Sequence, residues 1–225
     1  MSHELRTPMN GIIGSIDLLE DTNLDEDQKD TLSIIEYSAR NTLSLINNML
    51  DISELEFGKI SIIEKKFNIK GFIERQCVVM EKMIKQNENL KFETSIEYPL
   101  VNDYIGDVKR IEQIINHIFA NAVKFTEYGK IVFKVETNEA ETATEFKFIV
   151  RDTGVGISEE DIKKIFDIFI QIDGTYTRKK GGVGVGLSIA KKLSDLMDGT
   201  IEIESKVREG SEFIFKVKLK KATIM

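Results

Sequence analysis

One helical run interrupted by an amide, with two glycine-rich segments after it, constrains this chain most. EQIINHIFANAVKFT (112–126) is apolar at helical spacing but carries Asn121. DTGVGI (152–157) follows the apolar run FKFIV (146–150), and GGVGVGL (181–187) leads into a further helical stretch. Glycines let a backbone approach a ligand closely, and a buried amide needs partners. The asparagine, Asp152 and the glycines would have to meet in one pocket. The rest of the chain reads as a sheet supporting that pocket and a helical hairpin presenting something to it.

The hairpin comes first. Over residues 3–20, Leu5, Met9, Ile12, Ile13, Ile16 and Leu19 recur at helical spacing, while His3, Thr7, Asn10 and Asp17 fall on another face. Pro8 removes one backbone hydrogen bond and is expected to bend the helix just after His3. DTNLDED (21–27) is a polar turn, and residues 28–56 form a longer helix with the stripe Leu32, Ile35, Ala39, Leu43, Ile46, Met49 and Leu50. One hairpin buries such stripes poorly, whereas two make a four-helix bundle, so a homodimer is expected. His3 lies two residues from Met1, where helices fray, so a longer chain restoring an upstream helix is expected to be more active at His3.

Gly58 closes the second helix, and a strand and linker are expected over 60–69. The expected domains are a hairpin at 1–57, a linker at 58–66 and a second domain at 67–225. In the second domain, helices are expected at 70–87, 107–125, 159–166 and 186–197, and strands at 90–96, 102–106, 130–137, 145–151, 200–205 and 212–219. Adjacent strands joined by hairpins argue for an all-α hairpin followed by an α+β two-layer sandwich rather than a βαβ fold.

Composition narrows the classes. A net charge of −7 argues against a nucleic-acid binder, which carries a basic face. Cys77 is the sole cysteine, so no internal disulfide forms and a reducing, cytoplasmic setting is expected. No run of about 18 apolar residues appears, so no membrane contact is expected within these residues, and no signal peptide is read at the start.

In HELRTP (3–8), a neutral His3 nitrogen can attack phosphorus, Glu4 can orient the ring or take its proton, and Thr7, one turn on, can position a water. A lone histidine is more often structural or solvated. The Asn121 carbonyl oxygen suits Mg²⁺ and Lys124 can reach a phosphate; equally, the amide can bond a neighbouring loop and the lysine can be a solvated charge. Asp152 can accept from an exocyclic amine, selecting adenine, with Gly154 and Gly156 opening the approach; an ordinary strand-to-helix turn explains one such motif as well. Gly182, Gly184, Gly186 and Leu187 lie where helix N-terminal amides favour an anion. Arg178 with Lys179 and Lys180 can pair phosphates or face solvent. Glycines beside cations suggest a lid over a nucleotide. Neither GxGxxG after a strand nor GxxxxGK[ST] is present. The combination points to ATP and Mg²⁺.

In order and spacing, HELRTP, NAVKFT, DTGVGI, IFDIF and GGVGVGL resemble the H box, N box, first glycine box, F box and second glycine box of the sensor histidine kinases of two-component signalling. The resemblance covers essentially the whole chain. It implies a dimerisation and phosphotransfer hairpin followed by a Bergerat-type ATP-binding domain. The phosphoacceptor position falls on His3, its acidic neighbour on Glu4 and the residue of the reverse phosphatase reaction on Thr7. The Mg²⁺ ligand falls on Asn121, the phosphate-contacting lysine on Lys124, the adenine reader on Asp152 and the lid glycines on Gly182, Gly184 and Gly186. The implied reaction is ATP-dependent phosphorylation of His3, then transfer to an Asp of a response-regulator receiver domain. Three departures stand out: His117 where the family carries another Asn, Val183 and Val185 in the lid, and GSEF (210–213) in place of a Gly-Thr-x-Phe box. Gln171 and the Thr-Arg-Lys segment resemble hybrid kinases, and the resemblance implies the intracellular part of a longer, membrane-anchored sensor. The rival expectations are a Bergerat-type ATPase clamp, which has no use for HELRTP on a dimerising helix, and a non-catalytic scaffold with a degenerate nucleotide site.

Overall fold

The computed structural model describes residues 2–85, 87–168 and 184–222, with side chains described from Glu4 onward. The chain forms two compact units, Met1–Ile60 and Ser61–Met225.

The first unit is a pair of helices, α1 (Ser2–Glu20) and α2 (Glu26–Glu56). Pro8 lies inside α1, which continues through it as one helix. Asp25 caps α2: its carboxylate accepts from Gln28 N at 2.8 Å, while Gln28 Oε1 accepts from Asp25 N at 3.0 Å. Such a reciprocal box satisfies two otherwise orphaned amides and is worth about 1 kcal/mol. At the other end Gly58 has φ +63°, Gly58 N donates to Leu55 O and Lys59 N donates to Glu54 O. That pairing closes the last turn in the Schellman manner. Ile16, Leu32 and Ala39 are buried between the helices, with Met9, Ile13 and Leu24 against them. Ile34, Ile35, Tyr37 and Met49 stay exposed on the single chain.

The second unit is an α+β sandwich. Its strands are β1 (Lys65–Asn68), β2 (Leu90–Ile96), β3 (Asp103–Gly106), β4 (Gly129–Glu139), β5 (Ala143–Asp152), β6 (Thr200–Lys206) and β7 (Gly210–Lys221). Its helices are α3 (Ile69–Ile84), α4 (Val108–Phe125), α5 (Glu159–Ile162) and α6 (Gly186–Leu196). The sheet order is β1-β3-β7-β5-β4-β2, with β6 also on β7. All pairs are antiparallel except β2 with β4.

Alternation along the central strands separates the two faces of the sheet. Phe133, Val150 and Phe213 form one cross-strand row, and Val135, Phe148 and Phe215 the next. All are buried, and α3 and α4 cover them with Ile69, Phe72, Ile73, Ile111, Ile114, Ile115 and Phe119. Burying one such side chain contributes roughly 1.5–3 kcal/mol. The alternate row Glu136, Lys147 and Lys216 is polar and forms surface ion pairs.

The largest departures from the sequence expectation are at 60–64 and at α5. Residues 60–64 form no strand; Ile63 N donates to the Asp107 carboxylate at 2.9 Å instead, which ties this segment to the start of α4. Helix α5 stops at Ile162 and continues as turns.

Candidate functional site

The site of the second unit is assembled at one end of the sheet, where β5, α4 and α6 finish or begin. Helix α4 starts at Asp107, whose carboxylate accepts from Arg110 N at 3.2 Å. Its stripe Ile111, Ile114, Ile115, Ile118, Phe119 and Ala122 faces the sheet, which leaves Asn121 half-buried on the flank. Among the described residues the Asn121 amide makes no hydrogen bond, so its oxygen is available to a hard cation. Lys124, one turn nearer the helix end, is half-buried with Nζ 4.9 Å from the Phe125 ring centroid. Burial pushes its pKa down.

Asp152 ends β5. Cross-strand register pairs it with Ile131 on one side and Ser211 on the other, one row beyond Phe133, Val150 and Phe213. Its side chain therefore projects onto the helix-covered face, where it is 5% exposed. Gly154 N donates to Oδ1 at 2.8 Å. Burial pushes the carboxyl pKa up, partly offset by the Gly154 and Ser211 amides and the Thr126 hydroxyl. The buried Thr126 Oγ1 makes no hydrogen bond of ordinary geometry among the described residues. A Cβ at Gly154 would lie 2.9 Å from both Asp152 Oδ1 and Thr126 Oγ1 and would also collide with Phe125 O. The missing side chain thus leaves a cradle lined by one carboxylate and one unmet hydroxyl. That donor and acceptor set fits the amino-substituted edge of a purine.

Gly156 is required for a different reason: a Cβ there would collide with the Lys206 carbonyl, because the loop packs on the β6–β7 turn. Arg208 N donates to Val155 O at 2.7 Å, and Ile157 N to Ser205 Oγ at 2.8 Å, fixing the loop to that turn.

Helix α6 begins without a side-chain cap. Val185 stands at the N-cap position, and its buried apolar side chain cannot accept a hydrogen bond, so it gives the first amides, including those of Gly186 and Leu187, no side-chain cap. Uncapped amides and the helix dipole favour an anion. Gly184, with φ +70°, turns the chain into this helix. Arg178 and Gly182 lie outside the described residues, as do Phe169, Gln171 and Val183.

His117 sits one turn before Asn121 on α4. A Cβ on Gly186 would lie 3.1 Å from its Nδ1, so the ring lies directly against the first residue of α6. Its Nε2 is buried with no hydrogen-bond partner among the described residues, and burial lowers its pKa from 6.5 to about 4.

In the first unit, His3, Glu4 and Thr7 all lie in the opening turns of α1, with His3 and Thr7 one turn apart. Glu4 and Thr7 are exposed, and the His3 side chain lies outside the described residues.

Thr126 and Ser211 escaped the sequence reading. Thr126 follows the last residue of α4, where a threonine resembles any helix end. Ser211 reaches Asp152 only through the β5–β7 register.

Residues 106–221 match the family described as histidine kinase-, DNA gyrase B- and HSP90-like ATPase, and residues 1–58 match the His kinase A (phospho-acceptor) domain. Hybrid signal transduction histidine kinase B of Dictyostelium discoideum is 38% identical over 219 residues, covering 96% of this chain and 11% of that protein. Signal transduction histidine-protein kinase BarA of Escherichia coli (strain K12) is 39% identical over 220 residues, covering 97% and 24%. Sensor protein GacS of Pseudomonas syringae pv. syringae is 37% identical over 223 residues, covering 99% and 24%. The chain thus spans between about a tenth and a quarter of the length of these three relatives. Among solved structures, full-length ShkA in complex with AMPPNP superposes with a TM-score of 0.76 at 29% identity, covering 99% of this chain and 45% of that one. Histidine kinase AdeS of Acinetobacter baumannii, at 23% identity and a TM-score of 0.60, shares the fold.

Proposed function

The chain belongs to the histidine kinases, and from that premise we propose that it phosphorylates its own His3 from ATP and passes the phosphoryl group to an aspartate of a response-regulator receiver domain. In this reading residues 1–57 are the dimerising phosphotransfer hairpin, 58–66 a linker and 67–225 the nucleotide-binding domain. The observation that carries it is the cradle at Asp152: a buried carboxylate and an unmet Thr126 hydroxyl, near an uncapped helix start.

Adenine would take the cradle, its amino group donating to Asp152. The amides of Gly184, Gly186 and Leu187 and the Lys124 ammonium would face the phosphates, and Arg178 and Gly182 would complete the cover. The Asn121 oxygen would hold Mg²⁺, which neutralises phosphate charge when bound. His3 Nε2 then attacks the γ-phosphorus in line: an N–P bond forms as the bridging P–O bond breaks, and ADP leaves with the electron pair. Glu4 orients the ring or takes the Nδ1 proton. Thr7 is assigned to the reverse reaction, positioning a water against the phosphorylated receiver. The apolar side chains Ile35 and Met49, exposed on one chain, support a four-helix bundle with a second copy. We place this segment in the cytoplasm, as part of a longer sensor.

The test is incubation with γ-labelled ATP. Acid-labile, base-stable label on the protein supports the kinase. Free phosphate without labelled protein supports an ATPase clamp, and no turnover supports a scaffold.

A further inference from the structure

We propose that His117 supplies a nitrogen ligand to the divalent cation held by Asn121, which tilts this site from magnesium toward manganese. The inference rests on the nucleotide reading above and concerns which metal the site takes.

Three observations converge on it. The imidazole is enclosed, and its Nε2 makes no hydrogen bond among the described residues. A buried polar nitrogen left unmet costs on the order of 1–3 kcal/mol, so this nitrogen is poised to accept a partner. Second, the ring is fixed from one side. Its Nδ1 edge lies against Gly186, where a Cβ would stand 3.1 Å away, and Nε2 lies on the far edge of the ring. Third, His117 and Asn121 are one helical turn apart on α4, with Cβ atoms on the order of 5–6 Å from each other. Adjacent ligands of a six-coordinate cation lie about 3 Å apart, a gap that an imidazole and an amide on neighbouring turns can close. The Asn121 amide makes no competing hydrogen bond among the described residues.

The chemistry follows from the donor set. Burial keeps the ring neutral at physiological pH, so its lone pair is free for a metal. Magnesium takes oxygen ligands and resists dehydration, whereas manganese tolerates a mixed nitrogen and oxygen shell. Among the described residues no cluster of three His, Cys, Asp or Glu side chains is placed to hold a metal. His117 and Asn121 therefore fill two of six positions, and phosphate oxygens must help complete the shell. The cation should bind only together with the nucleotide.

The experiment uses the 225-residue chain. Affinity for a non-hydrolysable ATP analogue is measured with Mg²⁺, with Mn²⁺ and with chelator, for the wild type and His117→Asn. Electron spin-echo modulation is recorded on the wild-type Mn²⁺ complex. The expected result is an affinity with Mn²⁺ about tenfold above that with Mg²⁺, a ratio that falls toward one in the variant. Nitrogen modulation from a directly bound imidazole should appear in the wild type. Equal metal ratios in both proteins with no nitrogen modulation overturn the proposal. That result is also expected if the ring donates an N–H to a phosphate oxygen, since His117→Asn then weakens binding equally with either cation. The spectroscopic arm needs no variant, so misfolding of His117→Asn does not shelter the idea. Failure of the wild type to bind the analogue with any cation would overturn the nucleotide reading itself, and this proposal with it.

Discussion

Asp152 stands directly opposite Ser211 across the β5–β7 ladder, in the last row of the helix-covered face. The rows before it are aromatic and aliphatic, whereas this one sets Asp152 and Ser211 beside Ile131. The sheet thus ends in a buried carboxylate at the point where α4 also ends, at Thr126. Strand alternation alone aims the side chain, since a slip of one residue would turn it to solvent.

Asp152→Asn is predicted to lower affinity for adenine nucleotides by about a hundredfold, by removing a charged acceptor from a desolvated site. Stability should hold or rise slightly, because burial already disfavours the carboxylate. Calorimetry and thermal melting check both halves; an unchanged dissociation constant would remove Asp152 from the nucleotide site.

Gly210→Ala is predicted to destabilise the second unit by about 2 kcal/mol or more. The residue has φ +101°, and a Cβ would collide with the Asp152 carbonyl across the ladder. Gly11→Ala makes the contrast: nothing lies within 4 Å of that Cβ in a helical position, so it should stabilise by roughly 0.5–1 kcal/mol. Urea midpoints of the two variants should move in opposite directions.

Titration of His117 predicts a pH window. Its folded pKa, about 4, lies below the ordinary 6.5, so above about 6.5 both folded and unfolded chains are neutral there. As pH falls, the unfolded chain takes up the proton first. Stability present above 6.5 is therefore lost progressively toward about pH 4, on the order of 2–3 kcal/mol from this group. Melting curves without metal or nucleotide should show wild type losing more stability than His117→Asn across that window. Parallel losses would mean that the ring takes up its proton equally readily in the folded and unfolded chains.

Much of the architecture was legible because it is local. The stripe of α4 and the alternation of β4, β5 and β7 follow from spacing within one segment. Strand β2 likewise occupies 90–96, as its pattern implies. Its parallel pairing with β4, Leu90 opposite Gly129, is a non-local choice that no short pattern encodes. The run ISIIE misled because it looks strand-like in isolation, yet Ile63 is 57% exposed and its amide goes to Asp107. The site divides the same way. Asp152 and Asn121 announce themselves as polar residues ending or interrupting apolar runs. Thr126, Ser211 and the contact between His117 and Gly186 depend on register and helix packing, which appear only once distant segments meet.

The central claim is that the nucleotide site and the hairpin histidine act as one enzyme. The most direct test is to map the phosphate by mass spectrometry, under neutral conditions, after incubation with ATP and a divalent cation. The wild type is predicted to carry it on His3, while folded His3→Gln and Asn121→Asp chains carry none. Phosphate on His3→Gln, or undiminished phosphate on Asn121→Asp, would contradict the account.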